Sequence, residues 1–160
     1  TTYSIVPCIW IYVSSVVNAD WLIPIIVMIT ISSSYQFCQM NAKTDDHFFV
    51  GFPSYWNVII IFMLCFQSSQ SMNEIVIIIL TIFSFIPIKY IYLSRIEHIS
   101  KSKLIKIFTF LFTMLAAIST FCAVITYPHK TPTPIISIIL AFTIFYILFS
   151  FKLNIKNSKA

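Results

Sequence analysis

The chain has 160 residues, 59% of them apolar and only 9% charged. That leaves too little polar surface to coat a water-soluble globule of this size, so a bilayer is the natural solvent. The formal charge of +5 does not indicate nucleic acid, because the basic residues sit in short stretches beside apolar runs and not on a solvated domain face.

Apolar runs close to ~20 residues long recur between charged or proline-bearing breaks, the length an α-helix needs to cross roughly 30 Å of hydrocarbon. The short alternating segments of a β-barrel are missing. The opening Thr1-Thr2-Tyr3-Ser4 lacks the basic region and cleavage site of a secretory signal and reads like the middle of a longer protein. Six candidate spans follow, at about residues 3 to 17, 20 to 39, 54 to 68, 72 to 94, 103 to 127 and 134 to 153. The first and third are short for a full crossing. Pro24 and Pro87 fall within helical runs, where a proline kinks a helix unless neighbours satisfy the freed carbonyl. Pro128, Pro132 and Pro134 bracket a short loop.

Six spans place the loops alternately on two sides. One side then holds Lys43, Lys89, Arg95, Lys101, Lys103, Lys106, Lys152, Lys156 and Lys159, and the other only Lys130, which accounts for all ten Lys and Arg. The positive-inside rule puts the first side in the cytoplasm. The fold class expected is therefore all-α: a polytopic transmembrane helix bundle of about six helices forming one transmembrane domain, with both chain ends cytoplasmic.

Gly51 is the single glycine, so close helix contacts must use Ser and Ala, for example Ser32 to Ser34 or Ala116, Ala117 and Ser119. Cys8, Cys38, Cys65 and Cys122 fall inside or at the ends of predicted helices, without metal-ligand spacing, and read as buried free thiols.

Charged groups are rare, so their clusters carry most of the functional information. The first is the polar turn Asn41-Ala42-Lys43-Thr44-Asp45-Asp46-His47, followed by an aromatic return, Phe48-Phe49-Val50-Gly51-Phe52-Pro53-Ser54-Tyr55-Trp56-Asn57. These aromatics suit the headgroup level of an interface. Asp45 and Asp46 could meet a cationic headgroup or a metal, and Lys43 a phosphate; a solvated juxtamembrane loop is the plain alternative. His47 has no second His or Cys within a helical turn and is not a metal motif. The second cluster is Phe85-Ile86-Pro87-Ile88-Lys89-Tyr90-Ile91-Tyr92-Leu93-Ser94-Arg95. On a continuing helix Lys89 and Arg95 differ by about 240°, so both face one point only if the helix breaks. Either could contact a lipid phosphate, or simply anchor the cytoplasmic end. Glu74 and Asp20 lie on the opposite side and read as loop or helix-start charges. His98 and His129 read as lone loop residues.

At Ala42-Lys43-Thr44-Asp45-Asp46-His47-Phe48-Phe49 and Gly51-Phe52-Pro53-Ser54-Tyr55-Trp56-Asn57 the sequence resembles the bacterial phosphatidylcholine synthases of the CDP-alcohol phosphatidyltransferase superfamily. Ser34-Tyr35-Gln36-Phe37, Phe85-Ile86-Pro87-Ile88-Lys89-Tyr90 and Ser94-Arg95 are similar to the same family in matching order. The resemblance covers residues 1 to 95, and beyond them only hydropathy agrees. It implies transfer of a phosphatidyl group from CDP-diacylglycerol to choline with release of CMP, at the cytoplasmic face of a bacterial inner membrane. It also implies a divalent cation, Mn²⁺ or Mg²⁺, to neutralise the pyrophosphate while a carboxylate takes the hydroxyl proton.

The family's carboxylates belong to the signature Asp-x-x-Asp-Gly-x-x-Ala-Arg followed by Gly-x-x-x-Asp-x-x-x-Asp, and this sequence contains neither half. Thr1-Thr2-Tyr3-Ser4-Ile5-Val6-Pro7 is similar to the stretch that follows the signature's final Asp. The resemblance therefore implies the later helices of a longer enzyme: no catalytic residue and no metal ligand in this chain, both expected upstream of Thr1, and no turnover by the chain alone. Lys43, Asp45, Asp46, Lys89 and Arg95 are the substrate-binding candidates. The partners implied are membrane lipids, CDP-diacylglycerol and choline, and the missing N-terminal segment. A CDP-diacylglycerol–serine phosphatidyltransferase shares the architecture. A non-catalytic membrane protein, such as a transporter part or assembly subunit, needs only the helices, although the span interiors contain almost none of the ionisable residues a transport pathway uses.

Overall fold

A computed structural model describes residues 1–40, 48–91 and 103–157, with side chains to Lys152. Among the described residues there are six helices: α1 (Ile5–Ser14), α2 (Ala19–Cys38), α3 (Trp56–Phe66), α4 (Gln70–Phe85), α5 (Lys103–Thr126) and α6 (Thr133–Asn157). Two short strands, β1 (Phe48–Val50) and β2 (Lys89–Ile91), pair with each other. α2, α5 and α6 are long and apolar enough to cross a membrane, whereas α1, α3 and α4 are shorter apolar helices. The helical expectation holds, with one addition: the strand pair.

The fourth candidate span ends early. Helix α4 stops at Phe85, and Ile86 is extended with φ −86° and ψ 126°. The ring of Pro87 forces this, since it clashes with a preceding residue in the helical region. Pro87 therefore terminates a helix and does not kink one, and Lys89 lies on a strand, so the helical angle between Lys89 and Arg95 does not apply. Pro24 does sit inside α2. Residues 41–47 and 92–102, with Lys43, Asp45, Asp46, Arg95, His47 and His98, lie outside the described residues.

The chain forms two compact units. In the first, residues 1–40 and 50–88, the core is aliphatic around one indole: Ile11, Ile25, Ile29, Ile60, Ile77 and Trp56 are fully buried. Helix α2 buries Ile25, Ile29, Ser32, Ser33 and Gln36, and α4 buries Asn73, Glu74, Ile77, Thr81 and Ser84. Both sets recur at three- and four-residue spacing, which makes one helix face. The two helices pack against each other and run in the same direction, since Asn18 before α2 bonds Glu74 near the start of α4, while Gln36 and Ser84 meet at Gly51 near their ends. The seam is thus polar at both ends and aliphatic in the middle.

With one glycine in the chain, the left-handed caps that usually take glycine fall to other residues. Ser15 ends α1 at φ 50° and Gln67 ends α3 at φ 51°.

In the second unit, residues 48–49, 89–91 and 103–157, α5 and α6 form an antiparallel hairpin through residues 127–132. Phe108, Phe112, Phe142, Phe145 and Phe149 make a continuous ladder of ring contacts along the seam, at centroid distances such as 5.7 Å for Phe108–Phe145 and 5.3 Å for Phe112–Phe142. Beside the rings α5 buries Thr109, Ala116, Ser119 and Ala123, small residues that let backbones approach. Of the expected small-residue contacts, Ser32, Ser33, Ala116 and Ser119 are buried, while Ser34 and Ala117 are exposed.

Candidate functional site

In the first unit, the three segments 34–37, 51–57 and 83–88 come together. The Gln36 side-chain amide donates to the Val50 carbonyl at 2.8 Å. Gly51 N–H donates to the Ile88 carbonyl at 2.8 Å, and Phe52 N–H to the Phe83 carbonyl at 3.0 Å. The Tyr35 and Phe85 rings meet at 4.8 Å. A short non-helical strap, Val50–Phe52, is thereby fastened to α2 and to both sides of the α4 end. Buried backbone outside a helix or sheet must find such partners, most of all where lipid offers none.

Gly51 is required here on two counts. Its φ is +79°, a region that side-chain-bearing residues rarely adopt, and a Cβ at this position would lie 2.6 Å from the Ser84 carbonyl oxygen and 3.2 Å from Gln36 Oε1. Beyond the strap Ser54 takes φ 54°, and Phe52 packs edge-on against Trp56 at 5.1 Å. Phe52 and Trp56 belong to the core of this unit, while Tyr55 is exposed. The inner half of the first unit also carries buried polar atoms without hydrogen-bond partners: Ser33 Oγ, Gln36 Oε1, Ser54 Oγ, Trp56 Nε1 and Thr81 Oγ1.

The other end of the α2–α4 seam holds a polar clamp. Glu74 Oε1 accepts from the Asn18 backbone N–H at 2.8 Å and from Asn18 Nδ2 at 2.6 Å. Asn73 Nδ2 donates to the Val16 carbonyl at 2.8 Å, and Gln70 Nε2 to the Ser15 carbonyl at 2.8 Å. Glu74 is therefore not a solvated helix-start charge: it is buried, and its first-turn neighbours hold the α1–α2 turn. Asp20 remains exposed.

In the second unit β2 docks on α6. Ile91 N–H donates to Ser150 Oγ at 3.2 Å, and Tyr146 Oη donates to the Ile91 carbonyl at 3.1 Å. Phe48 and Ile91 are buried together against Tyr146 and Phe149, so Phe48 too is a core residue. Lys89, the one substrate-binding candidate among the described residues, is half-buried with its Nζ 5.9 Å from the Phe48 ring centroid. An aromatic face holds a cation in place without neutralising it. Burial lifts the Tyr90 phenol above its ordinary value.

The thiols divide: Cys8 and Cys65 are buried, Cys122 is half-buried and Cys38 is exposed at the end of α2. Among the described residues no three His, Cys, Asp or Glu side chains gather into a group able to hold a metal ion, and the one buried carboxylate, Glu74, is committed to Asn18.

Three apolar helices of spanning length define a helical membrane protein. The chain is 39% identical over 150 residues to a protein of Legionella bozemanae named phosphatidylcholine synthase, covering 93% of this chain and 69% of that protein. A phosphatidylcholine synthase of Legionella pneumophila is also 39% identical over 93% of this chain, which there spans 58% of the relative. One of Borreliella burgdorferi is 39% identical over 62% of this chain and 42% of its own length. No family model matches the chain. No solved structure matches it. The chain belongs to the phosphatidylcholine synthase family, and spans only part of the length of its relatives. The similarity to the Legionella proteins, at 150 residues, runs well past residue 95 and takes in the later helices, which hydropathy alone did not distinguish from any apolar span.

Proposed function

We propose that this chain forms part of a CDP-diacylglycerol–choline phosphatidyltransferase, working at the cytoplasmic face of a bacterial inner membrane. The observation that carries this is the 39% identity across 93% of the chain to a phosphatidylcholine synthase. The names of the relatives favour choline over serine as acceptor. In this reading α1, α3 and α4 also cross the bilayer, giving six spans with both ends cytoplasmic. α3 has 11 residues and rises only ~17 Å, and the buried strap before it supplies the remaining depth as non-helical chain.

Lys43, Asp45, Asp46, Lys89 and Arg95 are the proposed headgroup contacts, the lysines and arginine toward phosphate and the carboxylates toward the choline cation. A divalent cation, Mn²⁺ or Mg²⁺, is proposed for the whole enzyme. The described residues do not fit it, since no three His, Cys, Asp or Glu side chains gather among them. The carboxylates that would hold it and activate the alcohol are proposed to come from residues outside these 160, since the signature Asp-x-x-Asp-Gly is not in the sequence.

The test is choline incorporation from CDP-diacylglycerol in the presence of Mn²⁺, by this chain alone and by the chain joined to the N-terminal segment of the Legionella bozemanae relative. The expected result is no turnover alone and CMP release from the joined protein, with choline preferred over serine. Turnover by the chain alone would show the signature to be dispensable, and a joined protein that uses serine would overturn the acceptor.

A further inference from the structure

We infer that the end of the α5–α6 hairpin carrying Lys103, Lys106 and Lys152 is a seat for anionic phospholipid headgroups. The ring contacts fix the register of the two helices: Phe108 lies against Phe145 at 5.7 Å, and Phe145 stacks on Phe149 at 5.3 Å. Counting from that ring pair at ~1.5 Å per residue, Lys106, Lys103 and Lys152 fall ~3, ~8 and ~11 Å toward the same end of the hairpin.

Three ammonium groups thus share one end of the hairpin, and among the described residues of the second unit there is no Asp or Glu. Lys103 and Lys152 are exposed and Lys106 is half-exposed. Lys103 and Lys106 also occupy the first turn of α5, which has no acidic residue, so they oppose the positive end of the helix dipole. Like charge on like charge at a helix start favours an anion there. Between and beside these lysines α5 exposes Leu104, Ile105, Ile107 and Phe108. A ligand meeting both kinds of side chain has an anionic head and apolar tails. The opposite end of the hairpin offers Lys130 alone, exposed in the 127–132 connection. The inference rests on α5 and α6 lying in a membrane and not on the transfer reaction, so a failed choline assay leaves it standing.

The 160-residue chain is placed in nanodiscs of phosphatidylcholine with phosphatidylglycerol, and the lipids retained on gentle extraction are counted by native mass spectrometry. Retention of phosphatidylglycerol over phosphatidylcholine is expected to exceed its share in the bilayer, by roughly fivefold for each lysine engaged. Raising NaCl to about 0.5 M lowers it, since the Debye length then falls below the ~8 Å of physiological salt. The Lys103→Gln, Lys106→Gln, Lys152→Gln triple variant is expected to retain both lipids equally, while Lys130→Gln keeps the wild-type preference. An unchanged preference in the triple variant overturns the inference, and so does an equal loss in Lys130→Gln, which would reduce the effect to net charge. Displacement of the lipid by millimolar inorganic phosphate overturns it in favour of a soluble-phosphate site. Salt dependence of the wild type is read on unaltered protein, so the inference stays testable if the triple variant misfolds.

Discussion

The Cβ that any other residue would bring to position 51 would lie 2.6 Å from the carbonyl oxygen of Ser84. That oxygen is backbone at the end of a packed helix and cannot swing aside as a side chain can. Gly51→Ala therefore meets a steric conflict and an unfavourable φ together, and is expected to cost about 2 to 4 kcal/mol of stability. Thermal unfolding in detergent, followed by a thiol-reactive dye on the buried cysteines, measures it. An alanine variant that melts with the wild type would remove the close approach of strap and helix. Gln36→Leu is expected to cost about 1 to 2 kcal/mol, because it leaves the Val50 carbonyl without its donor.

Glu74 and Asn18 give a second ranking. Glu74→Ala leaves the Asn18 N–H and Nδ2 without their acceptor in a buried place, an expected loss of about 2 to 4 kcal/mol. Glu74→Gln keeps an acceptor oxygen and loses only the charge assistance, about 1 kcal/mol. Asp20→Asn, at an exposed helix start, is expected to change little. The order Ala, then Gln, then Asp20→Asn in melting temperature is the outcome to check; equal effects of the two Glu74 variants would mean that no hydrogen bond is at stake there.

Hydropathy suffices to place α2, α5 and α6, because a helix dissolved in lipid is apolar all round and long, and nothing else in a sequence looks like that. It fails at α4 because Ile86, Ile88, Ile91 and Leu93 continue the apolar run; the decisive mark is Pro87, whose effect on Ile86 is steric and invisible to a hydropathy sum. The strap was legible only through resemblance. Its one intrinsic sign is the chain's single glycine, which a sequence so poor in glycine keeps where no Cβ fits. Gln36 shows nothing in isolation, since a lone Gln in an apolar helix does not announce a partner 14 residues away. Glu74 reads as a surface charge for the same reason: its acceptor role depends on Asn18, 56 residues distant.

The cysteines test orientation as well as burial. Cys38 is exposed at the end of α2, while Cys8 and Cys65 are buried in the first unit, and only an accessible thiolate reacts with maleimide. Cys38 is expected to label first in native protein, and the buried pair only after denaturation. With a membrane-impermeant maleimide, the proposed cytoplasmic placement of the α2 end predicts labelling in inside-out vesicles and protection in whole spheroplasts. The reverse pattern would invert the six-span topology.

Tyr90 supplies a pH dependence whose sign follows from its setting. It is 7% exposed, stacked at 15° to the Tyr146 ring, and burial raises its phenol above the ordinary value, so the fold favours the neutral form. An unfolded chain ionises this group first, near pH ~10. The stability it contributes is therefore whole below that pH and is lost as pH rises through the higher folded value. The wild-type slope alone does not isolate the tyrosine. Tyr90→Phe does: it keeps the ring and removes the titration. Between about pH 9.5 and 11 the variant is expected to lose less melting temperature than the wild type, while below about pH 9 the two differ by a constant offset. Parallel curves across the whole range would show that the Tyr90 hydroxyl reaches water, and would contradict the docking of β2 on α6 through Tyr146 and Ser150.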